Sequence, residues 1–492
     1  MAPVNNRATI DALVSEYGTE HDCPSISWGI LADGELTMHG AYRSQHPTIA
    51  ATNGVRPDTI DQHTVYRIAS MTKAFSAAAT LLLRDEGVLR LDDPIAAHAP
   101  ELANLRGPTS DSQPLTVRDL LTMRAGFVND DYWADRALDL TDDEFDAIVE
   151  AGVTFAQPTG VHEYSNFGFG VLGRVIHRAS GQRIQQIISE RLLSPLGMTS
   201  TTWVQPDHDR WARPLDWHSG GFHDELPPLP DGLIAPMGGL WTTVHDLATW
   251  VAWLDDAFPA RDGDDAGPLS RASRREMQND HAFVNQVTLR DVTSPASYGY
   301  GVRVIHEAQR VITHSGGLPG YGSNMRWIIG TGVGAIAFAN STYAPMAELT
   351  ARILDIVLAN RAVAPASRAV TPAVAAAAHR LVELFNDWSD DVADALFTAN
   401  AVHDESYERR RAPVAGLLPV TLTSIEASSD ASATITVTAA DGSEPTIWFA
   451  LSPVAADRIQ AAEVEVEASG DAPPGEADEA GSRVEGGDTA AD

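Results

Sequence analysis

Lysine is nearly missing from this sequence. One lysine, Lys73, stands among 34 cationic residues, and every other is arginine. The two side chains serve almost equally well at a solvated surface. The position that kept lysine therefore needs something arginine cannot do. Arginine stays protonated at any workable pH, whereas a buried lysine can lose its proton and act as a base. Cysteine is equally scarce: Cys23 alone excludes an internal disulfide and argues against thiolate metal sites. The sixteen histidines contain no H-E-x-x-H pair. His208, His218 and His223 fall in one long loop, where solvated histidines are commoner than a metal site. No metal and no cofactor is expected.

Long apolar runs are absent as well. Nothing reaches the length of a bilayer-spanning helix, and Met1–Thr19 lacks the apolar core of a signal peptide. The expectation is a cytoplasmic chain without membrane contact, with secretion of a processed form left open. Positive charge is short overall, and the formal net charge is −33. The segment Glu467–Asp492 holds eight acids against Arg483, so −26 remains on the rest of the chain. That balance disfavours nucleic acid and anionic membrane as partners. It leaves a small-molecule or peptide substrate, with a homo-oligomer also open.

At 492 residues the chain is long enough for two or three domains. Asn6–Thr19 reads as a helix. Ser25–Ala32 and Leu36–Tyr42 flank Asp33-Gly34, a strong hairpin signal. Residues 70–239 read as mostly helical, with loops near 129–142 and 203–230. Val244–Leu254 is another helix, strands follow near 299–306, 311–314, 324–329 and 334–339, and Pro345–Asn360 closes the unit. This pattern is α+β, with the early hairpin expected to join the late strands in one antiparallel sheet flanked by helices. A domain over 1–360, a linker over 361–375, a small β-rich α+β accessory domain over 376–466 and a disordered acidic tail over 467–492 are expected. The accessory domain should carry a helix over 374–398 and strands near 420–425, 433–438 and 446–451.

Three clusters carry chemistry. In Ser70-Met71-Thr72-Lys73 the serine opens a helix whose Ala77–Leu83 stretch is apolar nearly all round, so the helix should be buried. Free N–H groups and the helix dipole favour developing negative charge at Ser70. Lys73 lies one turn on, on the same face, where burial would depress its pKa. In Tyr164-Ser165-Asn166 two polar side chains one residue apart can both face a cleft. A lysine ammonium beside Tyr164 would ease its deprotonation and let it relay protons to Ser70. In His314-Ser315-Gly316-Gly317, placed at a strand end, the glycines allow close approach of a substrate to backbone. An N–H on that edge could complete an oxyanion hole with that of Ser70, and His314 would add a donor. Tyr132, Trp133, Trp217 and Tyr298 could line a pocket, with core packing the equal alternative.

Taken in order, these motifs resemble those of the penicillin-recognising serine hydrolases, in the class C β-lactamase-like branch of D-peptidases, DD-carboxypeptidases and family VIII esterases. Leu120–Phe127, Ser194–Met198 and Gly238–Thr243 look similar too, and the resemblance covers about residues 7–360. It implies a β-lactamase/transpeptidase-like fold with an all-helical subdomain beside the sheet. It also implies Ser70 as the acylated nucleophile, with Lys73 and Tyr164 sharing acid and base work. Asn166 would bond the substrate amide or Lys73, and the N–H groups of Ser70 and Gly317 would hold the oxyanion. Ser315 and Gly316 would line the substrate edge. His314 would stand where many β-lactamases carry lysine, which resembles the peptidase members and removes a permanent cation for a substrate carboxylate. The expected activity is acyl-enzyme hydrolysis of an amide or ester, a D-amino-acid-containing peptide or small ester above all. The alternatives are a β-lactamase and a catalytically silent scaffold of the same fold.

Overall fold

The computed structural model describes residues 6–45, 59–105, 107–218, 222–227, 229–265, 267–359 and 370–465. The chain separates into two compact units, Met1–Ala366 and Ser367–Asp492.

In the first unit, helix α1 (Arg7–Glu20) leads into β1 (Ser25–Ala32) and β2 (Glu35–Arg43). Asp33 and Gly34 both take positive φ at their turn, which matches the twist of the flanking strands. Six further strands follow late in the chain: β3 (Ala282–Leu289), β4 (Val292–Tyr298), β5 (Arg303–His306), β6 (Arg310–Leu318), β7 (Tyr321–Ile328) and β8 (Val333–Ala339). They form one eight-stranded sheet in the order β2-β1-β8-β7-β6-β5-β4-β3, and every pairing is antiparallel. The early hairpin thus joins the late strands, with Ile26 opposite Ala339 and Leu31 opposite Gly334.

Both faces of the central strands are buried. Ile26, Trp28 and Ile30 of β1 share a core with Ala335 and Ala337 of β8, Leu13 of α1 and Ile353 of α5 (Met346–Ala359). The alternate residues Ile336 and Phe338 turn to the opposite face and join the helical region's core. That core is built around α2 (Thr72–Asp85), every residue of which is buried from Thr72 to Leu83. Alternation along strands and all-round burial of α2 place Ser70, just before the helix, where sheet meets helical region.

The second unit has its own core, with Leu381 and Phe385 of α6 (Pro372–Asn386) packed with Ile435, Ile447 and Phe449. Its sheet runs in sequence order through β9 (Thr421–Ser429), β10 (Ser432–Thr438), β11 (Thr446–Leu451) and β12 (Ile459–Glu465). Thr371 caps α6 by accepting from the Val374 N–H at 3.2 Å, so residues expected in the linker already belong to a helix. The helix expected over 374–398 stops at Asn386 and resumes as Asp390–Leu396. Residues 361–369 and the acidic tail 467–492 lie outside the described residues. Among the described residues no helix is long and apolar enough to cross a membrane.

Candidate active site

Ser70 lies in a single 3₁₀ turn, Ala69–Met71, that feeds directly into α2. Ala69 is held at φ +50°, a conformation that L residues rarely adopt. Its surroundings enforce it. Ser323 of β7 donates to the Ile68 carbonyl at 2.9 Å, and Gly316 of β6 lies flat against Ile68 and Ala69. A Cβ on Gly316 would fall inside the Ile68 carbonyl oxygen, so only glycine lets strand and turn meet.

Lys73 is fully buried, and its ammonium nitrogen bonds Ser70 Oγ at 2.9 Å, Asn166 Oδ1 at 2.6 Å and the Met237 carbonyl at 2.8 Å. Burial lowers its pKa to about 7, against the opposing pull of Asp131, Asp135 and Asp130. The Met237 contact explains Gly238–Thr243. This segment runs alongside α2, where the Leu240 N–H donates to Thr72 Oγ1 at 3.2 Å and the Ile68 N–H to the Leu240 carbonyl at 3.0 Å.

Tyr164 and Asn166 flank the start of α3 (Asn166–Ser180), where Ser165 Oγ accepts from the Gly168 N–H at 3.3 Å. The approach is pinned by Leu120–Phe127: the Glu163 N–H donates to the Met123 carbonyl at 2.8 Å, and Arg124 Nε to the Gly160 carbonyl at 2.7 Å. Tyr164 lies beside Ser70, and Lys73 Nζ sits 5.0 Å from its ring centre. Burial drives the phenol well above its ordinary pKa, an effect larger than the help from Ser70. The expected easing of its deprotonation is thus reversed.

The strand carrying His314 does not end there. It runs to Leu318 and turns through Pro319-Gly320 into β7. The Ile329 N–H bonds the Arg310 carbonyl, so even-numbered residues of β6 face β7 and odd-numbered ones face β5. β5 pairs only as far as Thr313. The N–H of Gly317 therefore points to an open strand edge, the position an oxyanion donor needs. His314 is not a free donor. Its Nδ1–H gives to the Ser315 carbonyl at 2.6 Å, and its Nε2 accepts from the Tyr298 hydroxyl at 3.1 Å. Burial and then the Lys73 charge push its pKa down to about 3, so the ring is neutral.

A cleft of about 530 Å³ opens here, lined by Ser70, Tyr164 and His314–Gly317 on one side and by Asp131, Asp135 and Tyr343 among others. The beta-lactamase family model matches residues 10–358. The chain belongs to the beta-lactamase family. The D-alanyl-D-alanine-carboxypeptidase/endopeptidase AmpH of Escherichia coli K12 is 28% identical over 227 residues, 45% of this chain and 55% of that protein. The chain thus spans about half the length of that curated relative. An octameric penicillin-binding protein homologue from Pyrococcus abyssi shares the fold at TM-score 0.61 and 20% identity, over 90% of this chain and 96% of that one. A D-stereospecific amidohydrolase from Streptomyces sp. does so at TM-score 0.55 and 21% identity, over 72% of this chain and 98% of that one.

Within this beta-lactamase family cleft the four aromatics part company. Tyr132 lines it and is 82% exposed. Trp133 packs edge-on against Phe167 at 6.2 Å instead. Tyr298 is fully buried behind His314 and meets the site through that ring. The Trp217 side chain lies outside the described residues, as do those of His218 and His223, while His208 is exposed. Ser315 lines the cleft and accepts from Asn324 Nδ2 at 2.9 Å. Among the described residues no three His, Cys, Asp or Glu side chains form a metal-binding group.

Four charged residues were not expected here. Asp130 takes the N–H groups of Asn166 and Phe167, both at 2.7 Å, and so anchors the start of α3. Asp131 accepts from Asn166 Nδ2 at 2.7 Å, which turns the amide oxygen toward Lys73. Asp135 is held by the Tyr343 hydroxyl at 2.7 Å. Arg303 lines the cleft, and its side chain has no hydrogen bond or ion pair among the described residues.

Proposed function

We propose that this chain is a serine hydrolase that cleaves an amide or ester through an acyl-enzyme on Ser70. The carrying observation is the triple anchoring of fully buried Lys73 between Ser70, Asn166 and Met237. With a pKa near 7 a large share of this amine is neutral at neutral pH and takes the Ser70 proton. The freed Oγ bonds to the substrate carbonyl carbon. The N–H groups of Ser70 and Gly317 hold the resulting oxyanion. The carbonyl–leaving-group bond then breaks, and Tyr164 passes the proton from Lys73 to the departing nitrogen or oxygen. A water, deprotonated along the same route, releases the acid and restores Ser70.

The substrate class follows from charge. His314 is neutral and cannot hold a carboxylate, whereas Arg303, with no side-chain partner among the described residues, can do so at the strand side of the cleft. This favours a peptide or amide whose leaving part carries a carboxylate. The names D-alanyl-D-alanine-carboxypeptidase and D-stereospecific amidohydrolase support D-configured residues. A β-lactamase is the second reading, since Arg303 would equally receive a β-lactam carboxylate. The deciding experiment labels Ser70 with a fluorophosphonate, then measures turnover of p-nitrophenyl esters, D- and L-aminoacyl p-nitroanilides and nitrocefin. Absence of Ser70 labelling would leave the silent scaffold standing. Self-association is proposed by analogy with the octameric Pyrococcus abyssi homologue, and light scattering of the full chain checks it.

A further inference from the structure

Asp135 is the most anomalous side chain of the cleft. It is 2% exposed, yet it lines the same cavity as Ser70. Its Oδ2 accepts from the Tyr343 hydroxyl at 2.7 Å. Among the described residues its Oδ1 has no hydrogen bond, and no cationic side chain pairs with either oxygen. A carboxylate buried without a cation is costly, and the sequence has 33 arginines with which to relieve it, by its 34 cationic residues less Lys73. Among the described residues none pairs with it, and the Lys73 charge acts on it without touching it. Burial, with Asp131 and Asp130 nearby, raises the carboxyl to about 7, so an arriving cation would meet a group ready to ionise.

The surroundings define the place. Tyr343 is held at φ +52° and packs beside Gly317, whose Cβ position is 2.7 Å from the Tyr343 ring. The Asp135–Tyr343 bond therefore borders the edge that would hold the oxyanion. It ties the wall built from residues 129–135 to the wall built from residues 343–347. Tyr132 adds its ring edge-on to Tyr343 at 6.4 Å. Aromatic rings beside a buried carboxylate suit an ammonium group. Arg303 lies on the strand side of the same cleft.

We infer that the Asp135–Tyr343 end of the cleft is a subsite for a positively charged amino group on the acyl part of the substrate. The inference rests on the acyl-enzyme reading above. It selects substrates with a free amine close to the scissile carbonyl, as in an unblocked amino-acyl amide, over their N-acylated counterparts. Asp135 acts there as a specificity-determining residue and takes no part in bond making.

The test uses the full chain and two fluorophosphonates of equal length, one ending in an ammonium and the other in a methyl group. In each, Ser70 Oγ bonds to phosphorus, fluoride leaves and the serine proton is lost, so the labelling rate reads the subsite directly. The wild type should take the cationic probe at least about tenfold faster, the scale of one close charge pair. Asp135→Asn keeps an acceptor for Tyr343 and removes the charge, so the ratio should fall toward one. A ratio near one in the wild type overturns the inference, as does a tenfold ratio that persists in an Asp135→Asn protein melting with the wild type. Should Asp135→Asn fail to fold, the wild-type ratio and that of Asp135→Glu decide, and a wild-type preference lost in Asp135→Glu despite its retained charge counts against the subsite. No labelling by either probe would overturn the acyl-enzyme reading and the inference with it. A labelled Ser70 without charge preference overturns the inference alone.

Discussion

The hydroxyl of Tyr298 donates to Nε2 of His314, the ring nitrogen left without a proton because the Ser315 carbonyl, which can only accept, holds the proton on Nδ1. Tyr298→Phe removes the donor and leaves a buried acceptor unmet, a loss of about 1–3 kcal/mol. His314 can then turn or swap its proton, which disturbs the edge leading to Gly317. The expected result is a lower kcat with a modest change in KM. A shift of the His314 nitrogen signals in the NMR spectrum is the reading that a purely structural role would not produce.

Lys73 should impose an acid limb on activity. Its folded pKa is lowered to about 7, so the neutral, base-competent form gains population as pH rises through that value and is lost below it. kcat/KM should climb about tenfold per pH unit on the acid side and level off above it. Lys73→Arg keeps the charge and cannot release it, so activity should drop at least about a hundredfold with the limb abolished. A folded Lys73→Arg protein of near-normal rate would make the lysine structural.

Ser70→Ala should leave the melting temperature nearly unchanged and reduce turnover by about four orders of magnitude or more. Retention of a tenth of the wild-type rate would remove Ser70 from the chemistry.

Gly316→Ala should be damaging where Gly87→Ala is mild. A methyl on Gly316 meets the Ile68 carbonyl and must move β6 away from the Ser70 turn. Overpacking of this kind costs about 1–3 kcal/mol or more. Gly87 also has positive φ but faces open space, so its cost is backbone strain of about 1 kcal/mol. Melting curves of the two variants, together with labelling rates at Ser70, separate the effects.

A chain ending at residue 366 should still be labelled at Ser70. All residues lining the cleft lie in the first unit, and the second has its own core. An insoluble or unlabelled truncation would show that the units depend on each other.

The elements legible from sequence were those with strong local signals. Asp33-Gly34 announced a hairpin because two adjacent positive φ angles suit few other pairs. β3 and β4 were missed for the converse reason: their turn residues, Arg290 and Asp291, also take positive φ, yet neither advertises a turn. Val284, Gln286 and Thr288 on β3 offer little apolar alternation to read. The fold places Ser70, Lys73, Tyr164 and His314 beside one another. Asp130, Asp131 and Asp135 were invisible because, in a chain of net charge −33, three acids in a loop look like solvated surface. Only the fold reveals that two of them steer Asn166 and the third is buried.

The place of β1 in the sheet has a consequence for when the protein can work. Its neighbours are β2 and β8, so the hairpin made first by the ribosome touches the rest of the sheet only through residues 333–339. A nascent chain that has passed Lys73, Tyr164 and even Gly317 still lacks the strand that joins them to its beginning. Closing a loop of this length is slow and comes late. The sheet behind the Ser70 turn is therefore complete only when β8 lies between β1 and β7, so the early hairpin and the strands that flank Ser70 become one sheet through a single seven-residue strand.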